Sequence, residues 1–523
     1  MRRFTLVIAA IFALVSCGGG GGSATHSPGG GSSLPSNPTN LPSIPEVDSV
    51  NGVAALTLTA QYDSNSRPAF FYNGAEVAPT IRVHPGDTIQ LTYVNNLPEF
   101  CGVGIVSNSN LHFHGLTTSP NQPGDEVILT NAAPGSSYTY SVKIDTDQPP
   151  GMYWYHPHPH GLTNWEIGNG MGGAIVIEGI ADEIPSLAGL RERVIVLRDV
   201  FHDPAVSVAL GDDVARRKSR IMAYRHTLDD EGGGGPGSTS LCQPEGDKTP
   251  TINGVQTASI GIQPGEKQLW RVLNASGVRH FDLYIPGVQL QLVAQDGVPL
   301  QDYTGAGSTQ SLTVNDIVIP PAGRAEFIVT GPSAAAPLIS KCYDAGPIGD
   351  PNPQVTLGQL YNDYGATSAV RVAKPMGLRM RQAYRVAPPA PSAFRTVHLQ
   401  ENSTAFYING QAYDPAASPM YTVHIGTTEQ WTIENDTDEV HAFHTHQVHF
   451  VVLSSNGIPN PTARWLDTVD VPAQSHGGSG AAVPTTVTLL VDFRDAVIAG
   501  TFLFHCHITD HEDGGMMAKI TAQ

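Results

Sequence analysis

Residues 73–96 read NGAEVAPTIRVHPGDTIQLTYVNN, and the order of their signals decides the fold. Asn73-Gly74 suits a tight hairpin turn, because both residue types tolerate positive φ. Pro85-Gly86-Asp87 marks a second turn, after which Ile89, Leu91 and Tyr93 alternate with Gln90 and Thr92. A period of two is the signature of a strand with one buried face. The same order returns twice: Asn253-Gly254, Pro264-Gly265-Glu266 and KQLWRVLNA, then Asn409-Gly410, Ile425-Gly426 and TTEQWTIEN. Copies so far apart exclude a solenoid, whose repeats are short. They fit three similar β-sandwiches.

Composition agrees with this reading. The 523 residues include 55 glycines and 41 prolines, which disfavours a helical bundle and suits short strands joined by turns. Hydrophobic residues make up 40%, enough to exclude a disordered chain. A net charge of −19 argues against a nucleic-acid partner, because phosphate binding needs clustered Lys and Arg. The expected architecture is all-β, with three consecutive Greek-key β-sandwich domains at residues 48–182, 190–385 and 393–523. A glycine-rich loop around 229–248 interrupts the second, and the Pro-rich VAPPAPS leads into the third.

The N-terminus reads MRRFTLVIAAIFALVSC over residues 1–17. Arg2 and Arg3 precede an apolar run too short to span a bilayer, which is secretory signal architecture. Leu14-Val15-Ser16-Cys17 resembles the bacterial lipobox, whose cysteine becomes the lipidated first residue. Residues 18–47 are a Gly/Ser/Pro tether with little to pack. The expectation is an exported protein held by lipid alone on the periplasmic side of the bacterial envelope. Gly18 is not the aspartate of inner-membrane retention, which favours the outer membrane; the alternative is plain cleavage after Ser16. Past the first twenty residues no apolar run is long enough to cross a membrane. Export also permits a disulfide. Cys101, Cys242 and Cys342 allow three pairings, of which Cys242–Cys342 is favoured because both fall in the second expected domain.

Twenty histidines are the compositional oddity. The chemistry concentrates in LHFHG (111–115), WYHPH (154–158), HAFHTH (441–446) and HCHITDH (505–511), the last followed by Met516. An H-x-H pair on a strand points both imidazoles to one face. Imidazole alone does not choose among copper, zinc, iron and nickel. Cys506 points opposite to His505 and His507, so it serves a separate site with His511, Met516 and the remote His441. Two histidines, a thiolate and a weak axial methionine are the ligands of a blue-copper electron-transfer site. Met517 competes with Met516, and spacing from Cys506 favours Met516. His160 and His449 lie near the pattern but outside it, as supporting neighbours. Trp154 and Tyr155 read as aromatics that brace the site.

Together these segments resemble the multicopper oxidases, the family of laccases, bilirubin oxidases and copper-tolerance oxidases. The resemblance spans all three domains and implies that they are cupredoxin-like. It implies four copper ions: His112 and His444 on type 2, His114, His156 and His507 on one type 3 ion, and His158, His446 and His505 on the other. His441, Cys506, His511 and Met516 form type 1. Ala442 replaces the proline of the commoner H-P-x-H-x-H, a change of loop stiffness rather than of ligands. Asp125 and Asp510 stand where relatives carry proton-donating carboxylates, a use open to any positioned carboxyl.

The resemblance further implies one-electron oxidation of a phenol or aromatic amine, with dioxygen reduced to water. A metal-ion donor, Fe(II), Mn(II) or Cu(I), is the alternative. Only nine methionines occur, which argues against Cu(I), a lover of clustered thioethers. A non-enzymatic cupredoxin scaffold is the remaining possibility, opposed by the complete ligand set.

Overall fold

The computed structural model describes residues 39–98, 107–201, 248–301, 311–362, 371–377, 384, 386–403, 405–477 and 481–523. Within them the chain is mostly strand, arranged in stacked sheets. The N-terminal signal, Cys17, Cys101, Cys242 and nearly all of the glycine-rich loop lie outside the described residues. Cys342 is disulfide-bonded.

The three repeats form the same unit three times. Strand Thr88–Asn95 runs parallel to Val53–Tyr62 and antiparallel to Ser136–Lys143. Lys267–Asn274 lies likewise between Arg191–Phe201 and Arg324–Thr330. Thr427–Asn435 lies between Ala393–Glu401 and Thr485–Phe493. A parallel neighbour inside an otherwise antiparallel sandwich requires the chain to cross between sheets before returning, as in a Greek key. Each Asn-Gly turn has positive φ at both residues, from 47° to 83°. Each repeat strand ends in a buried asparagine that ties down the next segment. Asn95, Asn274 and Asn435 donate through Nδ2 to carbonyls of distant strands or loops, and each accepts a backbone N–H two residues on.

Apolar faces of the paired sheets close three cores, around Leu91 and Phe113, around Trp270 and Phe327, and around Trp431 and Phe504. The end of the expected tether is laid onto the fold instead. Thr39–Asn40 pairs with Ala258–Ser259, and Glu46–Asp48 pairs with Thr80–Arg82. An extended Pro-rich segment can add to a sheet edge because only one side of its backbone needs partners. No helix among the described residues is long and apolar enough to cross a membrane.

Two short helices matter for the site. Thr163–Gly168 packs against Thr509–Asp513, although nearly 350 residues separate them. Asp513 accepts from the backbone of Gly161 and Asn164, and Thr509 Oγ1 lies 2.9 Å from Asn164 Oδ1. These bonds lock the last turn of the chain onto the first sandwich.

Candidate metal centre

Two strands of the first sandwich and two of the third bring eight imidazoles together. His112–His114 pairs antiparallel with Gly151–His156, His156 opposite His112. His441–Thr445 pairs with Gly500–Cys506, His444 opposite His505. Alternation then turns His112 and His114 one way and His444 and His446 another, into one buried space. His112 stacks on His446 at 3.7 Å between centroids, and His114 on His444 at 3.8 Å. The ligand atoms of His158, His446 and His505 all lie within 4.8 Å of one another. His114, His156 and His507 form a second trio, with centroids 5.0 to 5.7 Å apart.

The electrostatics suit a cation. Burial holds His114, His156, His444, His446, His505 and His507 well below the usual imidazole range, and brings His158 down to about 3. Neutral imidazoles keep a lone pair for a metal. Neighbouring groups decide which nitrogen carries it. His112 Nδ1 donates to Asp125, His156 Nδ1 to the Pro157 carbonyl and His444 Nδ1 to the Asp467 carbonyl. That leaves Nε2 of His112, His156 and His444 buried without a hydrogen-bond partner. Orphaned lone pairs of this kind cost free energy unless an ion takes them. Nε2 of His505 lies 3.2 Å from Nε2 of His446 and 3.3 Å from that of His158. Two nitrogens each about 2.0 Å from one tetrahedral ion are about 3.3 Å apart, so this trio fits a metal.

Cys506 faces the other side of its strand. Its Sγ lies 3.6 Å from Nδ1 of both His441 and His511, whose Nδ1 atoms are 3.0 Å apart. Burial pushes the thiol far above its ordinary range, so a metal there must displace the proton. Met516 lies in the same apolar cluster as Cys506, and its carbonyl accepts from Cys506 N. Met517 packs instead with Val127 and Leu503, as strand alternation dictates. His511 stacks on Phe406, and its Nε2 lies 3.2 Å from Glu439 Oε1.

The supporting groups are distributed unevenly. Asp125 is buried, bonds Phe113 N and accepts from Gln447 Nε2. Asp510, the second expected proton donor to the eight-histidine cluster, sits on the Cys506 side. Its carboxylate is a quarter exposed, 3.8 Å from His511 Nε2. Glu512, two residues on, takes the expected place: Oε2 lies 3.2 Å from His505 Nδ1 and Oε1 3.5 Å from His158 Nε2. Burial, and then the Asp513 carboxylate, push Glu512 well above the carboxylate range. Asp467 and Arg324 also escaped the sequence reading. Arg324 chelates Asp467, whose Oδ1 lies 3.2 Å from His114 Nε2. Burial opposes the Asp467 charge, yet Arg324 outweighs it and keeps the carboxyl ionised. His449 stands 3.9 Å from Asp467, whereas His160 packs on Tyr413. Trp154 stacks on His156 at 4.1 Å, and Tyr155 donates to the Pro79 carbonyl.

Comparison with known proteins is consistent along the chain. Residues 55–182, 191–337 and 385–523 each match a family described as multicopper oxidase. A multicopper oxidase of Staphylococcus aureus is 26% identical over 90% of this chain and 89% of its own. A laccase of Bacillus subtilis is 23% identical over 85% of this chain and 88% of its own. The solved structure of a Campylobacter jejuni multicopper oxidase, described as a metallo-oxidase, superposes with a TM-score of 0.66 at 20% identity. It covers 93% of this chain and 98% of that one.

Proposed function

This chain belongs to the multicopper oxidases, copper enzymes that use dioxygen, and from that premise we propose that it oxidises phenols or aromatic amines one electron at a time and reduces dioxygen to water. The observation that carries the proposal is the alternation at His505-Cys506-His507. Three consecutive residues at the end of strand Gly500–Cys506 and just past it place a thiol in one cluster and two imidazoles in the other, so a covalent path of a few bonds joins them.

His441, Cys506, His511 and Met516 would hold a type 1 copper. His112 and His444 would hold type 2, with the trios His114, His156, His507 and His158, His446, His505 on a type 3 pair. Bound copper supplies the one-electron steps. The chain supplies the rest. His511 Nε2 is the imidazole edge nearest the Glu439 carboxylate, where a phenolic hydroxyl can leave its proton. Asp125 fixes the tautomer of His112 by accepting from Nδ1. The Glu512 carboxyl, beside His505 and His158, would serve as the proton carrier of the copper cluster. All eight imidazoles are buried from bulk solvent.

A metal-ion donor is the second reading, favoured by the same Glu439 carboxylate at the donor edge. Oxygen uptake with phenols, aromatic amines, Fe(II), Mn(II) and Cu(I) separates them. Phenol-driven uptake supports the first reading. Uptake driven by Fe(II) or Mn(II) alone, and lost in Glu439→Gln, replaces it with the second. Cys506→Ser is expected to abolish the blue absorption and donor oxidation while copper at the eight histidines remains; turnover at the native rate would overturn the assignment.

The LVSC sequence at 14–17 supports a lipid anchor at Cys17 in the cell envelope. Cys17→Ala is then expected to move the protein from the membrane fraction to the soluble one.

A further inference from the structure

We propose that a cavity between the first and second sandwiches is a binding site for a small organic monocarboxylate with an apolar body, separate from the metal centre. The cavity encloses about 420 Å³, within the range of small-molecule sites, and none of the clustered histidines lines it.

Its polar atoms converge without partners. Arg198 and Thr251 face each other across an antiparallel ladder, so both side chains project from one face. Arg198 Nε and Thr251 Oγ1 are buried with no hydrogen-bond partner among the described residues, and so is Asn169 Oδ1 from the adjoining wall. Asn169 Nδ2 is already committed to the Trp165 carbonyl, which fixes the direction of its oxygen. Three orphaned polar atoms on one cavity are an arrangement that a ligand completes.

The charge on Arg198 selects the ligand. Its Nη2 donates to the neutral Gly172 carbonyl at 2.6 Å, and no described carboxylate offsets its charge. Burial pushes its pKa down to about 10. A part-buried guanidinium that meets no carboxylate among the described residues is open to an anion, and a planar carboxylate is the acceptor that matches its fork. Thr251 Oγ1 can donate to the same anion, while Asn169 Oδ1 can accept from a bound hydroxyl or amide.

The remaining walls set the size and the charge. Phe70, Phe201 and Ile44 give an apolar lining for a ring or short alkyl chain. Phe201 is fixed by the bare backbone of Gly168, where a Cβ would come within 2.1 Å of its ring. Asp63, Glu76 and Arg67 also line the cavity. Two carboxylates against the one guanidinium of Arg67 repel a second negative charge on the ligand there. That excludes phosphate and dicarboxylates.

Titration calorimetry on the full, copper-loaded protein tests this with 3-phenylpropionate, phenylsuccinate, phenethylamine and inorganic phosphate. Saturable binding is expected for 3-phenylpropionate, with the other three at least about tenfold weaker, the scale of one charge-assisted hydrogen bond. Arg198→Gln should weaken binding by about tenfold or more, and Thr251→Val by about threefold with the melting temperature unchanged. The proposal is overturned if 3-phenylpropionate gives no saturable heat, or if phosphate or phenethylamine binds as well. It is equally overturned if Arg198→Gln binds like the native protein. Should that variant not fold, native affinity in Thr251→Val overturns it.

Discussion

Glu512 and Asp510 stand two residues apart on one short helix, yet their carboxyls serve different neighbourhoods. Asp510 lies beside His511, whereas Glu512 reaches His505 and His158. Glu512→Gln keeps the shape and removes the proton. It is expected to slow oxygen reduction by about a hundredfold, the usual weight of one general acid. Reduction of the Cys506 site by donor without oxygen should stay at the native rate; stopped-flow absorption measures both. Asp510→Asn is expected to act the other way round, altering donor oxidation and leaving oxygen reduction alone. The sequence could not rank these two acids. A five-residue helix has too few positions to show a periodic face, so the polar string TDHED at 509–513 leaves orientation open. Cys506 was legible, because alternation on a strand needs only its two neighbours.

At the level of the strand, the repeated asparagine is the device most worth testing. Asn435 donates to the carbonyls of Glu439, Val471 and Pro472, and its Oδ1 accepts from Thr437 N. These bonds hold the approach to His441, and Thr437 Oγ1 lies 2.8 Å from His441 Nε2. Asn435→Ala leaves several buried groups unmet and is expected to cost about 2–4 kcal/mol, at about 1 kcal/mol or more for each. Urea unfolding followed by tryptophan fluorescence measures it. The asparagine repeat was visible in the sequence, since each copy sits at the end of an alternating run. The Arg324–Asp467 pair was not, because its partners come from different domains, 143 residues apart, and each alone reads as an ordinary surface charge.

Across the whole molecule, buried ion pairs join the sandwiches. Arg82 of the first meets Glu46, Glu178 and Glu192, and Glu192 also meets Arg271 of the second. Burial alone would raise the Glu192 carboxyl, but Arg271 and Arg82 outweigh it and hold it down to about 2. A carboxyl depressed on folding stabilises the protein above its unfolded value, near 4.5, and that contribution disappears as pH falls toward 2. Glu192→Gln is therefore expected to be less stable than the native protein at pH 6, because it removes the one carboxylate that Arg82 and Arg271 share. The gap should narrow steadily between about pH 4.5 and 2 in chemical unfolding at a series of pH values. Stability differing equally at both ends of that range would refute the linkage.

The eight-imidazole cage takes half its members from each end of the chain: His112, His114, His156 and His158 from one, His444, His446, His505 and His507 from the other. The cage therefore closes only when segments some 350 residues apart come together. A ribosome stalled before residue 505 releases a polypeptide with neither the thiol nor the two imidazoles that flank it. Removing the segment that begins at residue 505 thus takes two of the eight imidazoles and the thiol away in a single cut, so both metal clusters are opened by the same loss.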